Sequence, residues 1–152
     1  MLNSMIHAAL TVEELLAKKG QEIWSISSRA TVYEALEKMA EKDVGVLVVI
    51  DDGRLVGIFS ERDYARKVIL KGKASKDTSV GELMTTTIFS VTPENTLRES
   101  LTLMTARQIR HLPVLKQGQL VGVITLGDVV RMIISKQENA INLLEEYVSG
   151  SA

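Results

Sequence analysis

Two short stretches of this sequence combine a hydroxyl and a carboxylate at the same spacing. Ser60 and Asp63 are three residues apart, and Thr125 and Asp128 repeat the pattern 65 residues later. Each pair follows an apolar run typical of a strand and precedes a helical pattern. The first turn of a helix leaves backbone N–H groups without partners, so such a junction can bind an anion or a polar ligand. The same residues can also serve only as helix caps, and one pair alone leaves both alternatives open.

The elements around these two junctions also occur twice. Residues 26–66 align with residues 91–131 without a gap over 41 positions, of which 12 are identical. Each copy contains a short strand and a helix with a capping box that begins at Thr31 or at Thr96. A hairpin follows, whose turn contains Gly53 or Gly118, and then a second helix. Two copies at this period indicate a duplicated subdomain rather than a repeat array.

The order of elements predicts an α/β fold in which each copy forms a small mixed sheet with two helices. We expect four segments: a first repeat with an N-terminal helix (1–72), a polar linker (73–78), a second repeat (79–136) and an amphipathic C-terminal helix (137–152). The last helix can pack on its own protomer or join a dimer. Residues 129–134 are apolar nearly all round, which predicts packing on the other repeat, on a second chain or on both.

Composition excludes several classes of function. Eighteen basic residues against 19 acidic ones leave no overall field that would attract nucleic acid or an anionic membrane. No apolar run approaches the roughly 18 residues of a membrane span, and there is no cysteine, so we expect a cytoplasmic protein. There are two histidines, His7 and His111, and no carboxylate cluster that predicts a metal site. The glycine-rich loops of nucleotide hydrolases are absent, and we expect no catalytic residues.

The duplicated motifs resemble a known family. Each copy ends in Gly-hydrophobic-x-Ser/Thr-x-x-Asp, and the motifs include Ser60-Glu61-Arg62-Asp63-Tyr64 and Arg110-His111-Leu112-Pro113-Val114. Together they resemble a tandem pair of cystathionine-β-synthase (CBS) domains of the stand-alone bacterial kind, over roughly residues 12–136. The resemblance implies two repeats related by a pseudo-two-fold axis, with two clefts between them. It also implies that one or both clefts bind an adenine nucleotide, often AMP and sometimes ADP, ATP, NAD or S-adenosylmethionine, and that the chains pair into homodimers.

A nucleotide bound in such clefts would need three kinds of partner. An ionised carboxylate repels phosphate, so we assign Asp63 and Asp128 to the ribose hydroxyls. Ser60 and Thr125, with the neighbouring amides, are candidate phosphate donors. The residues expected to surround the base are Gly45, Val46, Arg110, His111, Ile26, Ser27, Val91 and Thr92.

Five cationic or titratable residues are candidate phosphate partners: Arg62, Arg66, Arg110, His111 and Arg131. Arg66 and Arg131 can equally form a solvated helix face, and His111 can be a packed strand histidine. The first copy has Arg62 where the second has Gly127, so the two clefts are expected to differ. The leading hypothesis is a non-catalytic regulatory module that senses adenine nucleotides, or energy state, for an unknown protein partner, with no obligatory cofactor. The alternatives are a structural or dimerisation module with empty clefts and an enzyme that uses a nucleotide.

Overall fold

The computed structural model describes residues 9–20 and 22–150 of the chain. The first eight residues, which include His7, lie outside the described part, as do Gln21 and the last two residues. The helices and strands, in chain order, are α1 (Val12–Lys19), β1 (Ser25–Ile26), α2 (Val32–Lys42), β2 (Val46–Asp51), β3 (Arg54–Ser60), α3 (Glu61–Asp63) with a π-helical segment (Tyr64–Ile69), α4 (Val80–Leu83), α5 (Leu97–Arg107), β4 (His111–Lys116), β5 (Gln119–Thr125) and α6 (Leu126–Gly150). The expected α/β class is confirmed.

The chain forms two compact units that do not coincide with the two sequence repeats. The first unit is residues 22–89, and the second combines the described residues before 21 with residues 90–150. Helix α1 therefore belongs to the unit of the second repeat, although we expected it with the first. Likewise, the segment that contains α4 belongs to the first unit. The polar linker marks the boundary between sequence repeats, whereas the compact units divide near residues 21 and 89.

Each unit thus includes a segment that comes from the other side of the repeat boundary: residues 9–20, with α1, in the second unit and residues 79–89, with α4, in the first. Backbone hydrogen bonds explain the places of these two exchanged segments. In the second unit, the N–H of Val12 donates to the carbonyl of Asn95 at 2.9 Å, an interaction 83 residues apart in the chain. In the first unit, the N–H of Val80 donates to the carbonyl of Ala30 at 2.8 Å. Each short helix thus pairs with the turn that precedes the capped helix of its unit. Such long-range pairing leaves no local signal in the sequence.

The first unit is built on a three-stranded sheet in the order β1-β2-β3. β1 runs parallel to β2, and β2 pairs antiparallel with β3 so that Val46 lies opposite Ser60. The hairpin turn has positive φ angles of 51° at Asp52 and 77° at Gly53, as two-residue turns of this type require. The buried apolar core of the first unit consists of Val32, Ala35, Met39, Leu47, Val49, Phe59, Val68 and Val80.

The second unit repeats the hairpin but not the whole sheet. β4 and β5 pair antiparallel, with His111 opposite Thr125. A single parallel bridge from Val91 to Val114 lies at the position that β1 has in the first unit.

Helix α6 continues through the boundary that we predicted at residue 136. It runs for 25 residues, because neither glycine nor proline occurs between Asp128 and Ser149 to end it.

A glycine in the last strand of each hairpin allows a side chain from the exchanged segment to pack closely. A Cβ atom on Gly57 would lie 2.5 Å from Sδ of Met84 and 3.1 Å from the carbonyl oxygen of Thr85. A Cβ atom on Gly122 would lie 2.7 Å from a methyl group of Leu16. The exchanged segments therefore pack on β3 and β5, the strands that end at the two junctions.

Candidate functional site

The first junction is the end of β3 and the start of α3, where Ser60 and Asp63 form a reciprocal capping box. The carboxylate Oδ2 of Asp63 accepts from the N–H of Ser60 at 2.9 Å and from its hydroxyl at 3.0 Å. The N–H of Asp63 donates to the hydroxyl oxygen of Ser60 at 3.1 Å. Oδ1 accepts from Nζ of Lys67 at 3.0 Å and from the hydroxyl of Thr85 at 3.1 Å.

These contacts fill the hydrogen-bonding capacity of Asp63. A carboxylate has about four acceptor positions, and here each oxygen already accepts two hydrogen bonds. The side chain is 13% exposed. A ligand hydroxyl that bonds to Asp63 would therefore have to replace Lys67, Thr85 or part of the cap.

The second junction has the same cap but different cations. The N–H of Thr125 donates to Oδ2 of Asp128 at 3.0 Å, and the N–H of Asp128 donates to the hydroxyl oxygen of Thr125 at 3.1 Å. Nζ of Lys19 donates to the same Oδ2 at 2.5 Å and to the carbonyl oxygen of Val123 at 2.8 Å. A guanidinium nitrogen of Arg131 donates to Oδ1 at 2.9 Å. Two cations therefore contact one carboxylate.

Two titratable groups at this junction have shifted pKa values. Burial by itself would raise the pKa of Asp128, but the hydrogen bonds from Lys19 and Thr125, with the positive charge of Lys19, hold that pKa below its ordinary value. Burial also lowers the pKa of His111, and the positive charges of Lys19 and Arg110 lower it further, against the opposing effect of Asp128. The imidazole of His111 is thus kept neutral at pH values where a free histidine gains a proton.

The first residue of each hairpin and the residue before it lie beside the junction of the same unit. The N–H of Glu61 donates to the carbonyl of Gly45 at 3.0 Å, and the N–H of Leu126 donates to the carbonyl of Arg110 at 2.9 Å. In the strand pairing, Val46 lies opposite Ser60 and His111 lies opposite Thr125. The first amide of each following helix therefore bonds within the protein, so it is not among the amides left for a phosphate.

The other four residues that were expected to surround the base lie toward the opposite end of the first hairpin strand, which is β2 in the first unit and β4 in the second. Ile26 pairs with Val49, which is three residues along β2 from Val46, or about 10 Å at the rise of a strand. The hydroxyl of Ser27 donates to Asp51 at the far end of β2. In the second unit, Val91 bridges Val114, and Thr92 bonds to the side chain of Asn95. Within one unit, therefore, Ile26, Ser27, Val91 and Thr92 do not join the residues of the junction.

The remaining cations differ in their surroundings. Arg62 lies in α3 and Arg66 in the π-helical segment, and both side chains are exposed. Arg131 is 73% exposed, but its guanidinium bonds to Asp128 and lies over Gly127, where a Cβ atom would be 3.1 Å from a guanidinium nitrogen. The glycine that replaces Arg62 in the second repeat thus makes room for Arg131.

Three residues at the junctions were missed by the sequence predictions. Lys67 is four residues after Asp63, and this spacing on a helix is a signal that could have found it. Thr85 and Lys19 reach the carboxylates only through the exchanged segments, and Lys19 is 109 residues from Asp128. For these two residues the sequence has no local signal.

None of the helices over the described ranges combines the length and apolar character needed to cross a membrane. No group of three histidine, aspartate or glutamate side chains in the same ranges is placed to hold a metal ion.

Comparisons with known proteins agree on one family. A family model described as CBS domain matches residues 11–70 and 80–135. The mitochondrial CBS domain-containing protein CBSX3 of Arabidopsis thaliana is 37% identical over 150 residues, which cover 92% of this chain and 72% of that protein.

Solved structures give the same result. A candidate signal-transduction protein with CBS domains from Burkholderia ambifaria is 42% identical, with a TM-score of 0.81 and coverage of 84% of this chain and 96% of that one. The CBS domain pair of protein MJ0100, in complex with 5′-methylthioadenosine and S-adenosyl-L-methionine, has a TM-score of 0.75 at 22% identity, over 84% of this chain and 98% of that one. At that identity the last likeness concerns the fold alone.

Proposed function

This chain belongs to the CBS domain family, whose tandem pairs are commonly regulatory modules, and we propose that it binds adenosine-type ligands without catalysing their conversion. AMP is the leading candidate, with ADP, ATP and NAD as alternatives. Binding of the ligand would change the contacts of the module with a regulated protein. This role needs a ligand that binds two arrangements of the protein with different affinities.

The observation that carries the proposal is the duplicated junction. A hydroxyl and a carboxylate occur in both units with the same cap geometry, at Ser60 and Asp63 and again at Thr125 and Asp128. A cap alone needs no particular charge nearby, yet each carboxylate also contacts a lysine. A nucleotide joins a ribose diol and a phosphate in one molecule. The carboxylate can accept hydrogen bonds from the ribose hydroxyls, and the cations next to it can bind the phosphate.

The MJ0100 complex supports the class of ligand. Both of its ligands contain the adenosyl group, and neither of them carries a phosphate. The adenosine part is therefore the common element, and we assign Asp63 and Asp128 to its ribose hydroxyls. Ser60, Thr125 and the cations near them remain the proposed partners of any phosphate.

Thermal unfolding with and without ligand tests the proposal. Wild-type protein is heated with AMP, ADP, ATP, NAD, adenosine or S-adenosylmethionine, each at millimolar concentration. A ligand at 100 times its dissociation constant stabilises the folded state by about 2.7 kcal/mol, which raises the melting temperature visibly. Asp63→Ala and Asp128→Ala should each reduce the rise.

A matched control separates loss of a ligand contact from loss of a helix cap. Glu99 accepts from the N–H of Thr96 at 2.9 Å in the capping box of α5, and it belongs to neither junction. Glu99→Ala should lower the melting temperature but leave the ligand-induced rise unchanged. If no ligand shifts the wild-type melting temperature, the sensor proposal is wrong and the structural alternative takes its place. Nucleotides recovered unchanged by chromatography would support the absence of catalysis.

Helix α6 favours a second proposed property, formation of a homodimer. Large apolar side chains are exposed along it, with fractions of 39% at Val130, 48% at Ile134, 54% at Ile141 and 37% at Leu144. Their spacings of four, seven and three residues place them on one stripe, and a second copy of the chain would remove that stripe from water.

Light scattering tests this proposal. Wild-type protein should have twice the mass of the chain at micromolar concentration, and Ile141→Glu with Leu144→Glu should give the monomer mass. A wild-type monomer would contradict it, as would an assembly larger than two chains. A cytoplasmic location stays a prediction from the sequence; the relative CBSX3 is named as mitochondrial.

A further inference from the structure

Lys67 joins the first junction to the exchanged segment of its unit. Its amine donates to Oδ1 of Asp63 at 3.0 Å, to the carbonyl oxygen of Leu83 at 3.0 Å and to the hydroxyl oxygen of Thr85 at 3.3 Å. These three bonds use all three donors of the ammonium group. The hydroxyl of Thr85 in turn donates to the same Oδ1 of Asp63 at 3.1 Å. The carboxylate, the lysine and the exchanged segment therefore form one closed network.

The backbone holds Thr85 in this position. Its N–H donates to the carbonyl oxygen of Ile58 at 2.8 Å, and its carbonyl oxygen accepts from the N–H of Ile58 at 2.9 Å. The exchanged segment is thereby paired with β3 two residues before Ser60, the first residue of the cap. The hydroxyl of Thr85 is thus fixed beside the carboxylate that we assign to the ribose.

The second junction leaves its carboxylate more accessible to a ligand hydroxyl. Within its unit, Oδ2 of Asp128 accepts from Thr125 and from Lys19, whereas Oδ1 accepts from Arg131 alone. A carboxylate has about four acceptor positions, so Oδ1 of Asp128 keeps one for a ligand. The side chain of Arg131 is also 73% exposed and can move without a loss of packing. All four positions of Asp63, by contrast, are occupied.

We propose that Lys67 and Thr85 form an autoinhibitory latch on the ribose acceptor of the first junction. Adenosine-type ligands then fill the second junction first, and they bind to Asp63 only at higher concentration, when a ribose hydroxyl replaces Thr85 or Lys67. This replacement releases the exchanged segment, which ends at residue 89, directly before the chain enters the second unit. The inference rests on the proposed function, because it assumes that adenosine-type ligands bind through the two aspartates.

Adenosine is the probe for the latch, because it has the ribose diol but no phosphate. Isothermal titration calorimetry measures its affinity for Asp128→Asn, in which only the first junction keeps its carboxylate, and for the same protein with Thr85→Val. Valine has nearly the shape of threonine but cannot donate a hydrogen bond, so one acceptor position of Asp63 becomes free. Adenosine should bind about tenfold more tightly to the double variant, because the ligand no longer replaces a hydrogen bond to a charged group.

Three further substitutions in the Asp128→Asn protein separate the latch from a general effect of mutation. Thr85→Ser keeps the hydroxyl and should leave the adenosine affinity within about twofold of the starting protein. Lys67→Met removes the second donor to Oδ1 and should tighten binding. Lys71→Met removes an exposed lysine four residues later and should not.

Amide hydrogen exchange tests the release of the exchanged segment. Saturating adenosine should speed the exchange of the Thr85 amide in the wild type, because the bonds of Lys67 to the segment are lost when the latch opens. Unchanged or slower exchange would contradict the release.

The outcomes for the latch and for the proposed function can be told apart. The latch is wrong, and the proposed function stands, if the wild type binds an adenosine-type ligand but Thr85→Val does not tighten adenosine binding. An equal gain in Thr85→Ser or Lys71→Met leads to the same conclusion. If the wild type binds none of these ligands, both the inference and the proposed function are wrong.

Discussion

The two strand-to-helix junctions have the same cap but obtain their cations from different parts of the chain. Asp63 is paired with Lys67, four residues later on the same helical stretch, and with the hydroxyl of Thr85. Asp128 is paired with Lys19, which is 109 residues away, and with Arg131. The duplicated motif builds the cap, whereas the exchanged segments determine the electrostatics of each junction.

One carbonyl group shows how the exchanged segments replace each other. In the first unit, the carbonyl of Ile58 accepts from the N–H of Thr85 at 2.8 Å. At the corresponding position in the second unit, the carbonyl of Val123 accepts from the amine of Lys19, also at 2.8 Å. A backbone contact in one unit is therefore a charged side-chain contact in the other. This substitution brings a positive charge to the second junction.

The largest effect is expected where the exchanged segments pack on glycine. Gly57→Ala should destabilise the protein by about 2–3 kcal/mol, because the new Cβ atom meets both Met84 and the backbone of Thr85. Gly122→Ala should cost about 1 kcal/mol, because the methyl group of Leu16 can move aside. Urea unfolding of both variants measures the difference. Equal losses would contradict the difference in packing between the units.

An intermediate effect is expected for the two lysine–aspartate pairs. A double-mutant cycle on Lys19 and Asp128 should give a coupling energy of about 1 kcal/mol, because the side chain of Lys19 is 29% exposed whereas that of Lys67 is 39% exposed. The cycle on Lys67 and Asp63 should give about 0.5 kcal/mol, the usual value for a helical pair four residues apart. The comparison fails if the helical pair is coupled more strongly than the distant one.

The smallest effect concerns pH, and only the second repeat should contribute to it. The pKa of His111 is lowered in the folded state by burial and by Lys19 and Arg110, so the unfolded chain binds the proton more tightly. The contribution of His111 to the free energy of unfolding is fully present above the ordinary histidine pKa of about 6.5, and it is lost as the pH falls below that value. We expect the free energy of unfolding of the wild type to decrease between pH 7 and pH 5.

His111→Gln should remove this part of the pH dependence. Val46 occupies the corresponding position in the first repeat, so that repeat offers no such group. Unfolding free energies measured at several pH values for both proteins give the comparison. Identical pH profiles would show that His111 is not the source.

Local patterns predicted the elements and the caps well. Thr31 caps its helix with its hydroxyl alone, whereas Thr96 and Glu99 form the full capping box that was expected at both positions. These caps, the hairpin turns and the junction residues depend on neighbours within a few positions.

The register beside the junctions does not follow from the two-residue turns alone. Counted from the turns, Val46 would lie opposite Phe59 and His111 opposite Ile124, but a register shift after Val49 and another after Val114 move them opposite Ser60 and Thr125.

The interactions that the sequence did not predict are those that join distant segments. The place of α1 depends on backbone hydrogen bonds between residues more than 80 positions apart, and so does the contact of Lys19 with Asp128. The polar linker marks the boundary between repeats but does not show which unit receives the flanking helix. The continuous α6 is a different case, because the absence of glycine and proline after Asp128 could have indicated it.

The central claim is that the two junctions are unequal ligand sites built on Asp63 and Asp128. Calorimetric titration of AMP into the wild type, Asp63→Asn and Asp128→Asn tests it most directly. The side-chain oxygen of asparagine can still accept from the N–H of Ser60 or Thr125, whereas the charge is removed. We predict that Asp128→Asn abolishes the tighter binding step and that Asp63→Asn leaves that step in place. Equal effects of the two substitutions, or no binding of AMP to the wild type, would contradict the account.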